Sequence, residues 1–313
     1  MVPSVREACV REMLNAWDLV GEFWDSVIVI EDGPAKTFSL PQASHHCSWK
    51  EIDEQLKEKA WVISRRDSAI RCFGFLKAYE LGAEYIFTLD DDCLPIGPLA
   101  AENLPTYEHV RNLTKTSRWA SSVPGSRTRG LPYRNLGVAT KTVLSVGLWE
   151  GKPDFDAIQT LSGADERLTL PETRVLPLGQ YVPICGMNLA FKREITPLMY
   201  FPLQGEGRPY SRFDDIWMGV ICKKICDHLG LMITVGRPYV HHKKASDPFA
   251  NLVKEAPGVA FNETFWEDID GVRLTGDTPL SCMTELGYEL AAMNDPYMRD
   301  LGGAMQTWAS LFG

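Results

Sequence analysis

Tyr85-Ile86-Phe87-Thr88-Leu89 is an apolar run of strand-forming residues, and three carboxylates, Asp90-Asp91-Asp92, follow it without a break. Such a run suits a strand covered on both faces. The acidic triplet at its end is electrostatically costly, because like charges a few Å apart raise one another's pKa. A divalent cation removes that cost. Alternate side chains of extended backbone point the same way, so Asp90 and Asp92 can converge on one ion while Asp91 points elsewhere. Hard oxygen ligands suit Mg²⁺ or Mn²⁺, which keep coordination sites for water and substrate phosphates. The carboxyl end of a strand is also where open α/β sheets bind ligands. The plainer alternative is a solvated acidic turn.

The residues upstream follow the same alternation. Val2-Pro3-Ser4 reads as the end of a first strand. Glu7 to Phe23 carries Val10, Leu14, Trp17, Leu19 and Val20 at helical spacing, with Ser4 as its N-cap. Val27–Ile30 is a second buried-type strand, ending in Glu31-Asp32-Gly33-Pro34. Asp67-Ser68 then caps a helix bearing Ile70, Phe73, Leu76 and Tyr79 and stopping near Gly82. Strands alternating with helices predict an α/β fold built on a mostly parallel sheet. Residues 94–180 are rich in Pro, Gly, Ser and Arg, and only a few short elements are expected there. Beyond them we expect strand and turn over Tyr181–Phe191, a helix over Asp214–His228 closed by Gly230, and a strand over Leu231–Val235. Two C-terminal helices follow, over 280–292 and 296–311, with Pro296 suited to a first turn. No internal repeat or linker appears, so a single domain over 1–313 is expected.

Composition narrows the function. Asp and Glu number 41 against 32 Lys and Arg, a net charge of −9, which argues against a nucleic-acid binder. No apolar stretch approaches a membrane span, and the first residues lack the apolar core of a secretory signal. Eight scattered cysteines then read as reduced thiols in a cytoplasmic protein.

Four further clusters carry chemistry. His241-His242-Lys243-Lys244 follows the turn Gly236-Arg237-Pro238; His242 can supply a further metal ligand and Lys244 a phosphate contact, or the cluster is a surface loop. In Arg212-Phe213-Asp214-Asp215, helix capping explains one carboxylate, and the other is a candidate general base or sugar-hydroxyl binder. Cys185-Gly186-Met187-Asn188 sets a glycine where a ligand can approach the backbone, with Asn188 beside it; an ordinary bulge is the alternative. Cys222 and Cys226, one helical turn apart, read as buried thiols rather than a zinc site.

Taken together these stretches resemble the reversibly glycosylated polypeptide family, the UDP-arabinopyranose mutases. The likeness is carried by Val2-Pro3-Ser4-Val5-Arg6, Arg66-Asp67-Ser68-Ala69-Ile70-Arg71, Phe87-Thr88-Leu89-Asp90-Asp91-Asp92-Cys93 and Pro153-Asp154-Phe155-Asp156-Ala157. It continues through Cys185-Gly186-Met187-Asn188, Arg212-Phe213-Asp214-Asp215-Ile216-Trp217 and His242-Lys243-Lys244-Ala245-Ser246 to Ala304-Met305-Gln306-Thr307-Trp308. The resemblance implies a GT-A-like, Rossmann-like nucleotide-sugar-binding fold with C-terminal helices. In it residues 1–100 hold the nucleotide, 101–279 handle the sugar and 280–313 form the terminal helices. It implies a UDP-sugar substrate, Mn²⁺ or Mg²⁺ on Asp90, Asp92 and His242, and nucleotide contacts from Pro3, Arg6, Asp32, Asp67, Arg71, Asp91, Gly186, Asn188 and Lys244.

The implied activity interconverts UDP-arabinopyranose and UDP-arabinofuranose, with reversible self-glycosylation. Arg129, in Thr128-Arg129-Gly130-Leu131-Pro132, matches the family's modified arginine, as nucleophile or as clamp, and Asp214 or Asp215 serves as acid, base or opposing charge. Departures cluster in the middle segment. The family's Tyr-Arg-Glu stretch has no match, a further arginine is matched no more closely than by Arg134, and a family histidine is Val146. Two alternatives therefore stay open: a metal-dependent glycosyltransferase with a separate acceptor, and a non-catalytic UDP-sugar-binding subunit. Assembly with itself or with homologues is also left open.

Overall fold

The computed structural model describes residues 1–21, 24–97, 104–119, 126–152, 154–163, 171–243 and 246–313. The chain begins with β1 (Val2–Ser4), α1 (Glu7–Leu19), β2 (Ile28–Glu31) and β3 (His45–Cys47), and the three strands form a parallel sheet in the order β1-β2-β3. Then come α2 (Trp49–Leu56), a short 3₁₀ turn over Ser68–Ile70, α3 (Arg71–Glu80) and β4 (Tyr85–Leu89). Every residue of β2 is buried, as its β-branched run requires. Asp67 caps the 3₁₀ turn by accepting from the Ala69 N–H, and Gly82, at a left-handed φ of +77°, lets the chain reverse after α3.

The remaining elements are β5 (Cys93–Leu94), α4 (Pro105–Asn112), β6 (Lys115–Ser117), β7 (Val138–Gly151), α5 (Ala157–Leu161), β8 (Arg174–Val175), β9 (Asn188–Lys192), α6 (Asp214–His228), β10 (Leu231–His242), α7 (Pro248–Gly271), α8 (Pro279–Ala291) and α9 (Pro296–Ala309). A second sheet runs β4-β9-β7-β10-β5, with β6 on β7 and β8 on β10. Here β7 and β10 pair in parallel, while β4–β9 and β9–β7 are antiparallel. The Met1 ammonium donates to the Phe87 carbonyl at 2.8 Å and the Leu89 N–H to the Met1 carbonyl at 3.2 Å, so the two sheets continue one another across β1 and β4. The carboxyl ends of β1, β2 and β4 thus share one edge, carrying Ser4, Asp32 and the acidic triplet. This α/β arrangement is that of a Rossmann-like, GT-A-type fold.

The core explains why the terminal helices belong to the same body. Met298, Met305 and Trp308 of α9 are buried in one cluster with Phe73, Phe201 and Trp217, and Trp308 stacks on Tyr200 at 5.4 Å. Helices α8 and α9 approach through glycine: a Cβ on Gly302 would stand 2.3 Å from the Ala291 nitrogen. Each large apolar side chain so buried contributes on the order of 1.5–3 kcal/mol. Among the described residues no helix is long and apolar enough to cross a membrane.

Several expectations need correction. Helix α1 stops at Leu19, and its N-cap is Arg6; Ser4 ends β1 instead. The weakly patterned middle holds the 14-residue β7, paired on both sides, because Thr, Ser and Gly dilute its apolar alternation. Helix α2, behind the Ser48–Glu51 capping box, and helix α7 were not expected. In α7 an interior Pro257 interrupts the helical pattern. Gly258 beside it accommodates the Phe213 ring, which would lie 2.6 Å from an added Cβ. Finally, Gly236-Arg237-Pro238 is no turn. It is a bulge within β10, and the strand regains its pairing with β7 at Tyr239 and runs on through His242.

Candidate active site

The three carboxylates at the end of β4 are divided among Arg6, Arg71 and His242, with Arg6 Nη2 reaching Asp91 and, at 3.5 Å, Asp92 as well. Asp91, 5% exposed, turns inward and accepts from the Ser4 hydroxyl and from both Nε and Nη2 of Arg6. The Arg6 guanidinium is held above its ordinary pKa by Asp91, and secondarily by Asp92, against the opposing effect of burial. Arg6 and Asp91 therefore tie α1 and β1 to β4. Pro3 lies buried in the same strand, in register with Ile30.

Asp90 faces Arg71, which is 2% exposed. The guanidinium donates to Asp90 Oδ1 at 2.6 Å, to the Gly186 carbonyl at 2.6 Å, to Thr88 Oγ1 at 3.1 Å and, through Nε, to the Ser68 carbonyl at 3.0 Å. It also lies over the Phe201 ring at 5.1 Å. A buried cation needs this many acceptors and a counter-charge. Gly186 is explained by the same contact: an added Cβ would stand 3.0 Å from Arg71 Nη1 and 3.1 Å from the Phe201 ring. The glycine makes room for the Arg71 guanidinium.

Asp92 faces His242. The imidazole Nε2 stands 3.9 Å from Asp92 Oδ1, and Nδ1 lies 2.9 Å from the Lys152 carbonyl, an acceptor that requires Nδ1 to carry the proton. In the neutral ring Nε2 is then the nitrogen with a free lone pair, on the side of Asp92. That is the donor set and outer hydrogen bond by which a histidine and an acid hold a divalent cation, so these two residues fit Mn²⁺ or Mg²⁺. Among the described residues no group of three or more His, Cys, Asp and Glu is arranged as a preformed metal cage. Asp90 and Asp92, expected to share an ion, are divided between Arg71 and His242. Nor is His242 in a loop. It ends β10, antiparallel to β5, and is 6% exposed.

A second carboxylate group lines the other wall. Asp214 and Asp215 open α6, whose N-cap is Phe213, held by its N–H donating to Gln204 Oε1 at 2.9 Å. Asp214 is buried and accepts from the Ser68 hydroxyl. Asp67 is pushed well above the usual carboxylate range by burial and by Asp214. Asp215 accepts from the Gly186 N–H at 2.9 Å and from its neighbour Ile216 N–H at 2.9 Å. Burial, and then the charges of Asp214 and Asp154, raise it to about 7. A carboxyl poised there can both accept and return a proton near neutrality.

Asp32, at the end of β2, accepts from the Trp49 indole at 2.7 Å and from the Asp67 N–H at 3.1 Å, and burial raises its pKa. Asn188 corrects another expectation. It is 1% exposed, and its amide donates to the Leu148 and Pro238 carbonyls at 3.0 and 2.9 Å while its oxygen faces His109. It is an interior tie between strands. Arg129 is exposed on a turn closed by the Leu131 N–H to the Thr128 carbonyl, and among the described residues no hydrogen bond or ion pair joins it to the carboxylates. Lys244 lies outside the described residues. Sequence reasoning passed over Asp154, Arg212 and Glu255 as individual side chains. Asp154 acts electrostatically on both Cys185 and Asp215, and Arg212 pairs with buried Glu255 at 2.8 Å. The visible signal was the run of charge around Asp214 and Asp215.

Comparison with known proteins is consistent along the whole chain. The family described as reversibly glycosylated polypeptide matches residues 1–313. UDP-arabinopyranose mutase 1 of Arabidopsis thaliana is 36% identical over 98% of this chain and 90% of its own length. UDP-arabinopyranose mutase 2 of the same plant is 35% identical, over 98% and 89%. UDP-arabinopyranose mutase 1 of Oryza sativa subsp. japonica is 35% identical, over 98% and 88%.

Proposed function

The chain belongs to the reversibly glycosylated polypeptide family, and on that footing we propose that it is a UDP-arabinopyranose mutase, interconverting UDP-arabinopyranose and UDP-arabinofuranose. The observation that carries the chemistry is Asp215, fastened to the Gly186 N–H and raised to about 7 beside Asp214 and Asp154. Its link to Asp90, through Gly186 and Arg71, supports a role at the sugar next to the diphosphate.

Ring contraction leaves the composition unchanged, so every bond broken is matched. The anomeric C1–O bond to the diphosphate opens, and UDP keeps the electron pair. The sugar's O4 hydroxyl attacks C1 and gives its proton to the Asp215 carboxylate. The C1–O5 bond then opens and O5 takes that proton back. UDP re-adds at C1 of the five-membered ring. Asp67, raised by burial and by Asp214, is the second carboxyl of this group and adds to the acidic surroundings of Asp215 that would face the cationic sugar. Bound at Asp92 and His242, Mn²⁺ or Mg²⁺ would supply Lewis-acid stabilisation of the charge on the departing diphosphate. In this reading Arg71 acts through Asp90 and Gly186, holding the floor of the site. Residues 1–100 carry the nucleotide and 101–279 carry the sugar. The compartment is the cytoplasm, a reading supported by eight scattered cysteines that are all unpaired.

Incubation with UDP-arabinopyranose and Mn²⁺, with no acceptor present, tests the proposal. Accumulation of UDP-arabinofuranose to a fixed ratio is expected; intact substrate, or free arabinose alone, would refute it.

A further inference from the structure

Arg212 stands immediately before α6 in the left-handed conformation, at φ +67°, where a non-glycine residue is strained. Such strain persists only where the surroundings hold it, and here they do. Arg212 Nε donates to Glu255 Oε1 at 2.8 Å, and the other Glu255 oxygen accepts from the Ala157 N–H at 2.7 Å. Glu255 is 4% exposed, so this one buried carboxylate fastens the starts of α5 and α6 to α7. The Arg212 side chain itself is 39% exposed. Its Nε is occupied, but among the described residues neither Nη nitrogen has a hydrogen-bond partner. After Glu255, its acidic neighbours are Asp215 and Asp154.

We propose that Arg212 grips the sugar ring of the substrate, its two Nη groups donating to adjacent hydroxyls while Asp215 and Asp154 accept from them, and that Glu255 positions the guanidinium. The inference rests on the mutase reading and extends it to a named sugar contact. Charge decides between the ring and the diphosphate. Glu255 already neutralises the guanidinium, so what remains is directional donor capacity, which suits uncharged hydroxyls. A diphosphate in the same place would face Asp154 and Asp215 and be repelled.

The test compares binding of UDP and of UDP-arabinopyranose to the full chain by calorimetry, at one Mn²⁺ concentration, with folding followed by circular dichroism. Arg212→Gln is expected to bind UDP within about twofold of the unsubstituted chain and UDP-arabinopyranose roughly tenfold or more weakly, as the loss of charge-assisted hydrogen bonds implies. Arg212→Lys, which keeps the charge and a single donor nitrogen, should recover part of the loss, and it decides the matter if Arg212→Gln does not fold. Glu255→Gln should raise KM for UDP-arabinopyranose with little change in kcat. Equal weakening of both ligands would make Arg212 a diphosphate contact and overturn the proposal. Unchanged affinity for both would make it a surface ion pair and overturn it as well. Turnover by the unsubstituted chain is scored separately: if furanose never forms, the mutase reading fails, while the two binding constants still decide the role of Arg212.

Discussion

His242 and Asp92 meet at 3.9 Å across the end of the sheet, with the imidazole's other nitrogen against the Lys152 carbonyl. The contact exists because β10 continues past its bulge and pairs with β5, the short strand that follows the acidic triplet.

Metal-assisted nucleotide binding should therefore depend on this pair. We expect Mn²⁺ to tighten UDP binding roughly tenfold or more, and both Asp92→Asn and His242→Gln to abolish the increment. Calorimetric titration of UDP with Mn²⁺ or with EDTA reads it directly. A full Mn²⁺ effect in either variant would remove that residue from the metal site.

Asp90 should behave differently from Asp92 despite belonging to the same triplet. Its removal takes from the buried Arg71 guanidinium its one directly bonded carboxylate among the described residues, leaving the more distant Asp214 and Asp215, so Asp90→Ala should lower stability by about 3 kcal/mol. Asp90→Asn keeps an acceptor and should cost about 1 kcal/mol. Urea denaturation of the two variants beside Asp92→Ala checks the order. Equal losses for Asp90→Ala and Asp92→Ala would show that Arg71 does not depend on Asp90.

Asp215 makes stability pH-dependent in a fixed direction. An unfolded aspartate titrates near about 3.9, whereas the folded group is raised to about 7. Folding then takes up a proton between those values. The associated stability is present at about pH 4 and is lost as pH rises through 7. Asp215→Asn removes the titration, so its melting temperature relative to the unsubstituted chain should climb from pH 4.5 to pH 8, by the equivalent of about 3 kcal/mol. A constant difference across that range would contradict the raised pKa.

Self-glycosylation should separate from turnover at Arg129. It is exposed, among the described residues no hydrogen bond or ion pair joins it to the carboxylates, and a guanidinium is a poor nucleophile while protonated. Arg129→Ala is expected to lose labelling from a radiolabelled UDP-sugar while still forming furanose. Parallel loss of both would make Arg129 the covalent nucleophile.

Much of the fold was legible residue by residue. The apolar runs ending at Ile30 and Leu89, the Asp67 cap, the helix opening at Asp214 and the Pro296 start all rest on interactions between near neighbours, which act the same way wherever the segment lies. The family likeness was likewise legible, because it resides in short stretches in a fixed order. Strand alternation gives only that Asp91 points away from Asp90 and Asp92; its inward turn onto Ser4 and Arg6 belongs to the packed structure.

Other features depend on partners far along the chain, and no local pattern encodes them. Helix α7 forms around Pro257 because packing against α5 and α6 outweighs its poor propensity. The contacts of Gly186 with Arg71, and of Asn188 with the Leu148 and Pro238 carbonyls of β7 and β10, are of this kind. The division of Asp90 and Asp92 between a cation and an imidazole has the same origin. Near-neighbour sterics and periodicity determine where a strand or helix runs and which way its side chains face. The partner each polar group finds is decided when distant segments are packed together, since burial then forces every charge and donor to be matched.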